Sequence, residues 1–246
     1  MKKMIKSLSV IFPMYNESNR LFRTFRDIEK FEKQKIINNV EYVFVDDGSS
    51  DDSTKKVNNF FKNKKKIKYK ILKIKNNMGK GNALKKGILK AKKNWILTLD
   101  TDISVSLFQL KKWIDYKYVD NKNVIYFGSR NLKNSELEYK FYRKIMGIIF
   151  SFLLKILFQI DIKDTQCGFK LYKNKIAKKI FRNIKDTGFV HDVEVVLLSK
   201  KYNYRLKELP VKWIHRNESK LNLFVDTFKM FYKLFIIKKN LFSFYS

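Results

Sequence analysis

Five short apolar runs, at residues 8–12, 42–45, 71–74, 95–99 and 124–127, punctuate the first half of the chain, each of a length that fits a buried strand. Between them, residues 18–31, 53–61, 81–91 and 107–118 carry apolar positions at helical spacing. Strands alternating with helices predict an α/β fold with a mostly parallel sheet covered on both faces. Such sheets bind ligands beyond the carboxyl ends of their strands, so the residues that follow each run are where chemistry is expected.

After Arg130 the pattern changes, and Lys alternates with aromatic residues. Residues 145–160 are apolar except for Ser151, Lys155 and Gln159. That stretch is too short and too interrupted to cross a bilayer, and it suits a helix lying in the interface plane or a buried one. Residues 221–244 repeat the theme, with Phe224, Phe228, Phe231, Phe235 and Ile236 at roughly helical spacing among Lys229, Lys233, Lys238 and Lys239. A helix of the core is the competing reading there. No repeat or Pro-rich linker divides the chain, and 246 residues with 45% hydrophobic content fit one domain over 1–246.

Lys and Arg number 54 against 23 Asp and Glu, a formal net charge of +31. Such a chain repels itself unless an anion is near, so nucleic acid, anionic lipid and phosphorylated substrates are all candidate partners. Cys167 is the sole cysteine, which rules out an intrachain disulfide and makes cytosolic chemistry the default. Lys2, Lys3 and Lys6 precede an apolar run that stops at Pro13 with no small-residue cleavage site after it, which reads as a first strand and not a signal peptide.

The segments after the runs carry the chemistry. Pro13-Met14-Tyr15-Asn16-Glu17 offers a rigid turn, a flat ring on which a base could stack, and a carboxylate; a plain turn with Asn16 or Ser18 as helix cap is the alternative. Asp46-Asp47-Gly48-Ser49 ends the second run with adjacent acids, whose repulsion a ligand or cation would relieve. The fourth run leads into Asp100-Thr101-Asp102, and the two-residue period of an extended chain points both carboxylates to one side. Two convergent acids form a site for Mg²⁺, which completes its shell with water and phosphate oxygens, so the pair implies a diphosphate-bearing ligand. Asn77-Met78-Gly79-Lys80-Gly81-Asn82 lacks the spacing of a phosphate-binding fingerprint and is expected to be a structural turn.

Taken in order, these four segments resemble those of the family 2 glycosyltransferases. Gly128-Ser129-Arg130, Asp164-Thr165-Gln166-Cys167-Gly168-Phe169-Lys170, His191-Asp192-Val193-Glu194 and Ser219-Lys220 resemble the subgroup that makes dolichyl-phosphate or polyprenyl-phosphate glucose and mannose. The resemblance implies a GT-A fold, a nucleotide-sugar donor, Mg²⁺ or Mn²⁺, and inversion at the anomeric carbon. It assigns Pro13, Tyr15, Glu17 and Asp47 to the nucleoside, and Asp100, Thr101 and Asp102 to the diphosphate, with Asp100 and Asp102 on the metal. It places Asp164 and Gln166 on the acceptor side and Arg130, Arg143, Arg216 and Lys220 on phosphates of donor or acceptor. Residues 1–130 then form the donor half and 131–246 the acceptor and membrane-facing half. Two positions depart from the subgroup: His191 replaces an aromatic or apolar residue, and Glu218 stands where a glycine is usual.

A phosphate acceptor needs little or no general base, because its oxygen is already anionic. A sugar-hydroxyl acceptor, as in surface polysaccharide synthesis, needs a carboxylate to take the proton, for which Asp192 or Asp164 is the candidate. A polyprenyl-phosphate acceptor gives the positive charge a use at the cytoplasmic face of a membrane, bound peripherally and without a spanning helix. Nucleic acid as the partner leaves the acidic pairs unexplained and is set aside. The Asp-Thr-Gln-Cys-Gly-Phe segment points by resemblance to glucose carried on UDP.

Overall fold

A computed structural model describes residues 5–120, 124–138, 141–216 and 223–239; for 138, 141–146 and 223–229 it describes the backbone alone. In chain order the elements are β1 (Ser7–Met14), α1 (Leu21–Lys33), β2 (Asn39–Asp47), α2 (Ser53–Lys62), β3 (Lys68–Ile74), α3 (Lys80–Lys90), β4 (Trp95–Thr98), α4 (Phe108–Asp115) and β5 (Val124–Ser129). There follow β6 (Glu136–Glu138), α5 (Phe141–Phe158), β7 (Lys170–Lys173), α6 (Asn174–Asn183), α7 (His191–Lys201), β8 (Arg205–Pro210), β9 (Lys212–Ile214) and α8 (Leu223–Lys239). Seven strands form one sheet in the order β3-β2-β1-β4-β7-β5-β8, parallel except for β7, while β6 and β9 pair separately.

The two-residue period of the strands sorts the core. Leu8, Val10 and Phe12 of β1 face one side with Tyr42 and Phe44 of β2, packed against Leu21 and Ile28 of α1, Val57 and Phe61 of α2 and Trp113 of α4. Ile11, Val43 and Val45 face the other side, against Ala83 and Ile88 of α3, Leu154 of α5, Ile180 of α6, Val193 of α7 and Leu234 of α8. The α/β expectation therefore holds, and all five apolar runs are strands or lie within them, apart from Leu99.

Local expectations needed correcting. The first strand does not stop at Pro13 but runs through it to Met14, in register with Asp46. Proline is tolerated there because pairing with β4 has already ended at Ile11 and Thr98, so no ladder bond is lost on that side. The fourth strand ends at Thr98, and Asp100 to Asp102 lie in a turn closed by Ile103 N–H donating to the Asp100 carbonyl at 3.1 Å. The pleat argument for convergence of the two carboxylates therefore fails. Residues 145–160 fall largely within α5, which buries Phe150, Leu154 and Phe158 and leaves Ile148, Ile149, Phe152 and Ile156 facing outward. On α8, Leu234 and Ile237 are buried while Tyr232, Phe235 and Ile236 are exposed. Each helix is thus half core and half open apolar surface. Among the described residues no helix is long and apolar enough to cross a membrane.

Candidate active site

A cavity of about 410 Å³ opens beyond the carboxyl ends of β1, β2 and β4. Its wall includes Pro13, Tyr15, Glu17, Asp47, Asp100, Thr101 and Asp102, all of them singled out in the sequence. Tyr15 is 40% exposed at the cavity wall. Thr101 is anchored on both sides: its hydroxyl donates to the Pro13 carbonyl at 2.6 Å, and its own carbonyl accepts from the Thr24 hydroxyl at 2.5 Å. This crosslink between β1 and the turn, in place of a strand pleat, holds Asp100 and Asp102 at the cavity.

The two acids feel each other. Burial, and then the charge of Asp100, push the Asp102 carboxyl above the usual range. Asp102 Oδ1 accepts the Ser104 N–H at 2.9 Å, and Asp100 Oδ1 accepts the Lys80 ammonium at 2.5 Å. Gly168 sits against Asp100: a Cβ there would lie 2.6 Å from the Asp100 Cγ, so only glycine leaves that carboxylate its place.

Lys80 also lines the cavity, on a turn for which the sequence favours a structural role over placing Lys80 near phosphate. The structural role is real. Asp47 accepts the N–H groups of Met78 at 3.1 Å and Gly79 at 2.7 Å, and Gly79 holds φ +99. That turn, however, delivers the Lys80 ammonium to Asp100. Burial opposes the charge on Lys80, but the nearby Asp100 and Asp192 outweigh it and hold the ammonium above its ordinary range. Arg20 was missed; it lines the cavity, pairs with Glu17, and its charge reaches Asp102.

Asp46 does not need the ligand or cation that its position seemed to demand. Its carboxylate accepts the Ser49 N–H at 2.9 Å and the Thr54 hydroxyl at 2.6 Å, so it braces the loop, while Asp47 alone lines the cavity. Neighbouring residues of a strand face opposite ways, which is why the two acids part.

The other assigned residues gather elsewhere. Arg130 does not line this cavity; with Lys133, Phe152 and Ile162 it lines a neighbouring groove of about 570 Å³ along α5. There it grips Asp164 with two bonds, Nε to Oδ2 at 2.7 Å and a terminal nitrogen to Oδ1 at 2.9 Å. Burial works against the Asp164 charge, yet the Arg130 guanidinium holds the carboxyl below the usual range. The Gln166 N–H donates to the same carboxylate at 3.1 Å. Asp192 is 4% exposed, paired with Lys170 Nζ at 2.5 Å, and lies 3.1 Å from His191 Nε2. His191 Nε2 makes no aligned hydrogen bond. Burial disfavours charge on Asp192 too, but His191 and Lys170 drive its carboxyl far below the usual range. Both candidate bases are therefore paired with cations. The Cys167 thiol, pushed up to about 12 by burial, is inert packing.

Arg216 lies in a third recess, beside Arg23, Asp27 and Phe108, with a terminal nitrogen donating to the Ile103 carbonyl at 3.3 Å. The Arg143 side chain and Lys220 lie outside the described residues, as do Glu218 and Ser219.

Known proteins share this sequence pattern and fold. The chain is 34% identical over 232 residues to a dolichyl-phosphate beta-glucosyltransferase of Dictyostelium discoideum, covering 91% of this chain and 71% of the relative. It is 32% identical over 246 residues to the enzyme of the same name from Saccharomyces cerevisiae, covering 94% and 74%. Its fold is GT-A, superposing with a TM-score of 0.69 on Mycobacterium tuberculosis glucosyl-3-phosphoglycerate synthase in complex with Mn²⁺, UDP and glucosyl-3-phosphoglycerate, at 13% identity and covering 95% and 80%. Residues 9–181 match the model of glycosyl transferase family 2, so the strand-end acids and the sheet that carries them belong to a family member: this chain is a family 2 glycosyltransferase.

Proposed function

We propose that this enzyme transfers glucose, with inversion, from UDP-glucose to dolichyl phosphate or a related polyprenyl phosphate. The observation that carries the reading is the cavity at the ends of β1, β2 and β4, where Tyr15, Asp47, Lys80, Asp100 and Asp102 meet. Tyr15, with Pro13, Glu17 and Asp47, receives the nucleoside. Lys80 and the metal site face the diphosphate. The names of the two curated relatives support both donor sugar and acceptor.

The donor set fits a divalent cation. Asp100 and Asp102 each keep one oxygen beyond the contacts described, and the repulsion that raises Asp102 is what a cation relieves. Among the described residues no third acid, His or Cys completes a cluster, which suits Mg²⁺ or Mn²⁺ finishing its shell with water and donor phosphate oxygens. When bound, the ion would act as a Lewis acid on the departing nucleoside diphosphate. Mn²⁺ in the mycobacterial neighbour supports this choice.

The ion pairs favour a phosphate acceptor over a sugar hydroxyl. A hydroxyl must lose its proton to a carboxylate, and Asp164 and Asp192 are held by Arg130 and Lys170. A phosphate oxygen attacks the anomeric carbon without that help, and the C–O bond to the diphosphate breaks as the new one forms. Residues 1–130 supply most of the donor cavity, joined by Gly188 and Phe189, and the rest of 131–246 serves as the acceptor half, together one unit. The groove lined by Arg130, Lys133 and Phe152 opens beside the outward apolar face of α5, so the protein sits peripherally on the cytoplasmic face of a membrane, where an anionic leaflet suits a net charge of +31. Nucleic acid is not a partner in this reading.

The test incubates purified protein and Mn²⁺ or Mg²⁺ with radiolabelled UDP-glucose or GDP-mannose and either dolichyl or undecaprenyl phosphate, and counts label entering organic solvent. Label is expected from UDP-glucose alone, and chelation should abolish it. Asp102→Asn should retain its fold and lose about 100-fold or more in turnover; undiminished transfer by that variant refutes the metal assignment.

A further inference from the structure

The donor cavity is closed on one side by a loop that no sequence motif announced. Gly188 and Phe189 line the cavity together with the strand-end residues. The loop is seated on the start of α3: Gly81 N–H donates to the Gly188 carbonyl at 3.2 Å, and Asn82 N–H to the Thr187 carbonyl at 3.1 Å. Two glycines make that seat. A Cβ at Gly79 would stand 2.5 Å from the Thr187 carbonyl oxygen, and one at Gly81 would stand 2.8 Å from that of Asp186. The loop therefore bears directly on the turn that aims Lys80 at Asp100.

What fixes the loop from behind is Asp186, which is mostly buried. One carboxylate oxygen accepts the His191 N–H at 3.0 Å, and the other accepts the ammonium of Lys233 from α8. The Asp186 N–H in turn donates to Glu194 Oε2 at 2.9 Å. Gly188 leaves room for the incoming ammonium, since a Cβ there would stand 3.1 Å from Lys233 Nζ. Next to Lys233 along α8, Tyr232 and Phe235 face outward and Leu234 is buried in the core.

We propose that Lys233 is a positioning residue for the donor site: its ion pair with Asp186 holds residues 186–189 on the α3 turn and thereby sets Lys80 against the diphosphate. The helix that presents apolar side chains to the outside is thus tied, through one pair of charges, to the cavity where the sugar donor binds. This inference rests on the reading of that cavity as the UDP-glucose site, and it adds a residue that touches neither donor nor metal.

The experiment measures UDP-glucose binding by calorimetry, with Mn²⁺ present, for the whole chain and for Lys233→Met, Lys233→Arg, Asp186→Asn and the Lys233→Met/Asp186→Asn double variant, alongside thermal midpoints. Lys233→Met and Asp186→Asn should each weaken donor binding roughly threefold to fivefold, in keeping with a half-exposed pair. The double variant should be no worse than either single one, as coupled partners require. Lys233→Arg should restore binding. A lowered thermal midpoint with unchanged donor affinity in Lys233→Met assigns the pair to stability alone and overturns the proposal, as does a double variant whose losses add. Wild-type protein that fails to bind UDP-glucose refutes the donor reading and this inference with it, whereas wild-type binding matched by all variants refutes this inference only.

Discussion

Replacing Lys170 with methionine keeps the buried stem and deletes the one ammonium bonded to Asp192 among the described residues. Lys170 is 2% exposed and its Nζ lies 2.5 Å from Asp192 Oδ1 and 4.7 Å from the Phe127 ring centre, so no water can take its place without opening the core. Breaking a buried pair from one side costs about 3–5 kcal/mol. Proton uptake sets a ceiling, because neutralising an ordinary aspartate at pH 7 costs about 4 kcal/mol, some three pH units at about 1.4 kcal/mol each. The expected deficit at pH 7 is therefore about 3–4 kcal/mol, large against the 5–15 kcal/mol typical of a domain. The sign with pH follows from Asp192. Its carboxyl is held far below the usual range when folded, so the stability it contributes is present above the ordinary aspartate value and lost as pH falls through the folded one. Without Lys170 a proton can replace the missing cation, so the deficit relative to wild type should shrink as pH falls from 7 toward 4. Urea denaturation at several pH values measures this. The double variant Lys170→Met/Asp192→Asn should recover at least about 1–2 kcal/mol of the loss, since it removes the stranded charge. A deficit under about 1 kcal/mol, flat with pH, or a double variant as unstable as the single one, would show that the pair is not the buried unit described.

Gly79→Ala forces a Cβ onto the Thr187 carbonyl at φ +99, and should cost more than about 1 kcal/mol in thermal unfolding and weaken UDP-glucose binding at the same time; normal affinity would mean that the turn does not aim Lys80. Phe152→Asp removes a ring that is 62% exposed, and should lower binding to anionic phospholipid vesicles about tenfold in a flotation assay while thermal stability stays within about 0.5 kcal/mol. Equal vesicle binding by that variant would exclude the outward face of α5 from the membrane contact.

Much of this was legible in the residues because the first half is built from local signals. Apolar runs of strand length, helices with one apolar face and acids placed just beyond strand ends all declare themselves within a dozen residues. Asp100 and Asp102 were found for an inexact reason, since a turn pinned by Thr101, and not a pleat, brings them together. The second half resisted because its elements are decided by distant partners. β7 has Lys at both ends, and Lys170 can be buried only because Asp192 waits for it on another element. α7 is buried on nearly every side, so it shows no polar face, and the burial of its His191, Asp192 and Glu194 is decided only when the fold encloses them. Lys80 was ambiguous because a glycine-flanked lysine fits both a plain turn and a phosphate contact; the carboxylate it meets places it at the cavity.

The antiparallel strand carries a consequence for how the chain is made. β7 lies between β4 and β5, and among the described residues these two do not pair with each other directly. A nascent chain that has already released residues 124–129 from the ribosome must therefore keep that apolar segment waiting until residues 170–173 emerge to bridge it. During synthesis the most aggregation-prone moment falls in that interval, when an unpaired apolar strand and the apolar α5 are both outside the tunnel with nothing yet to cover them.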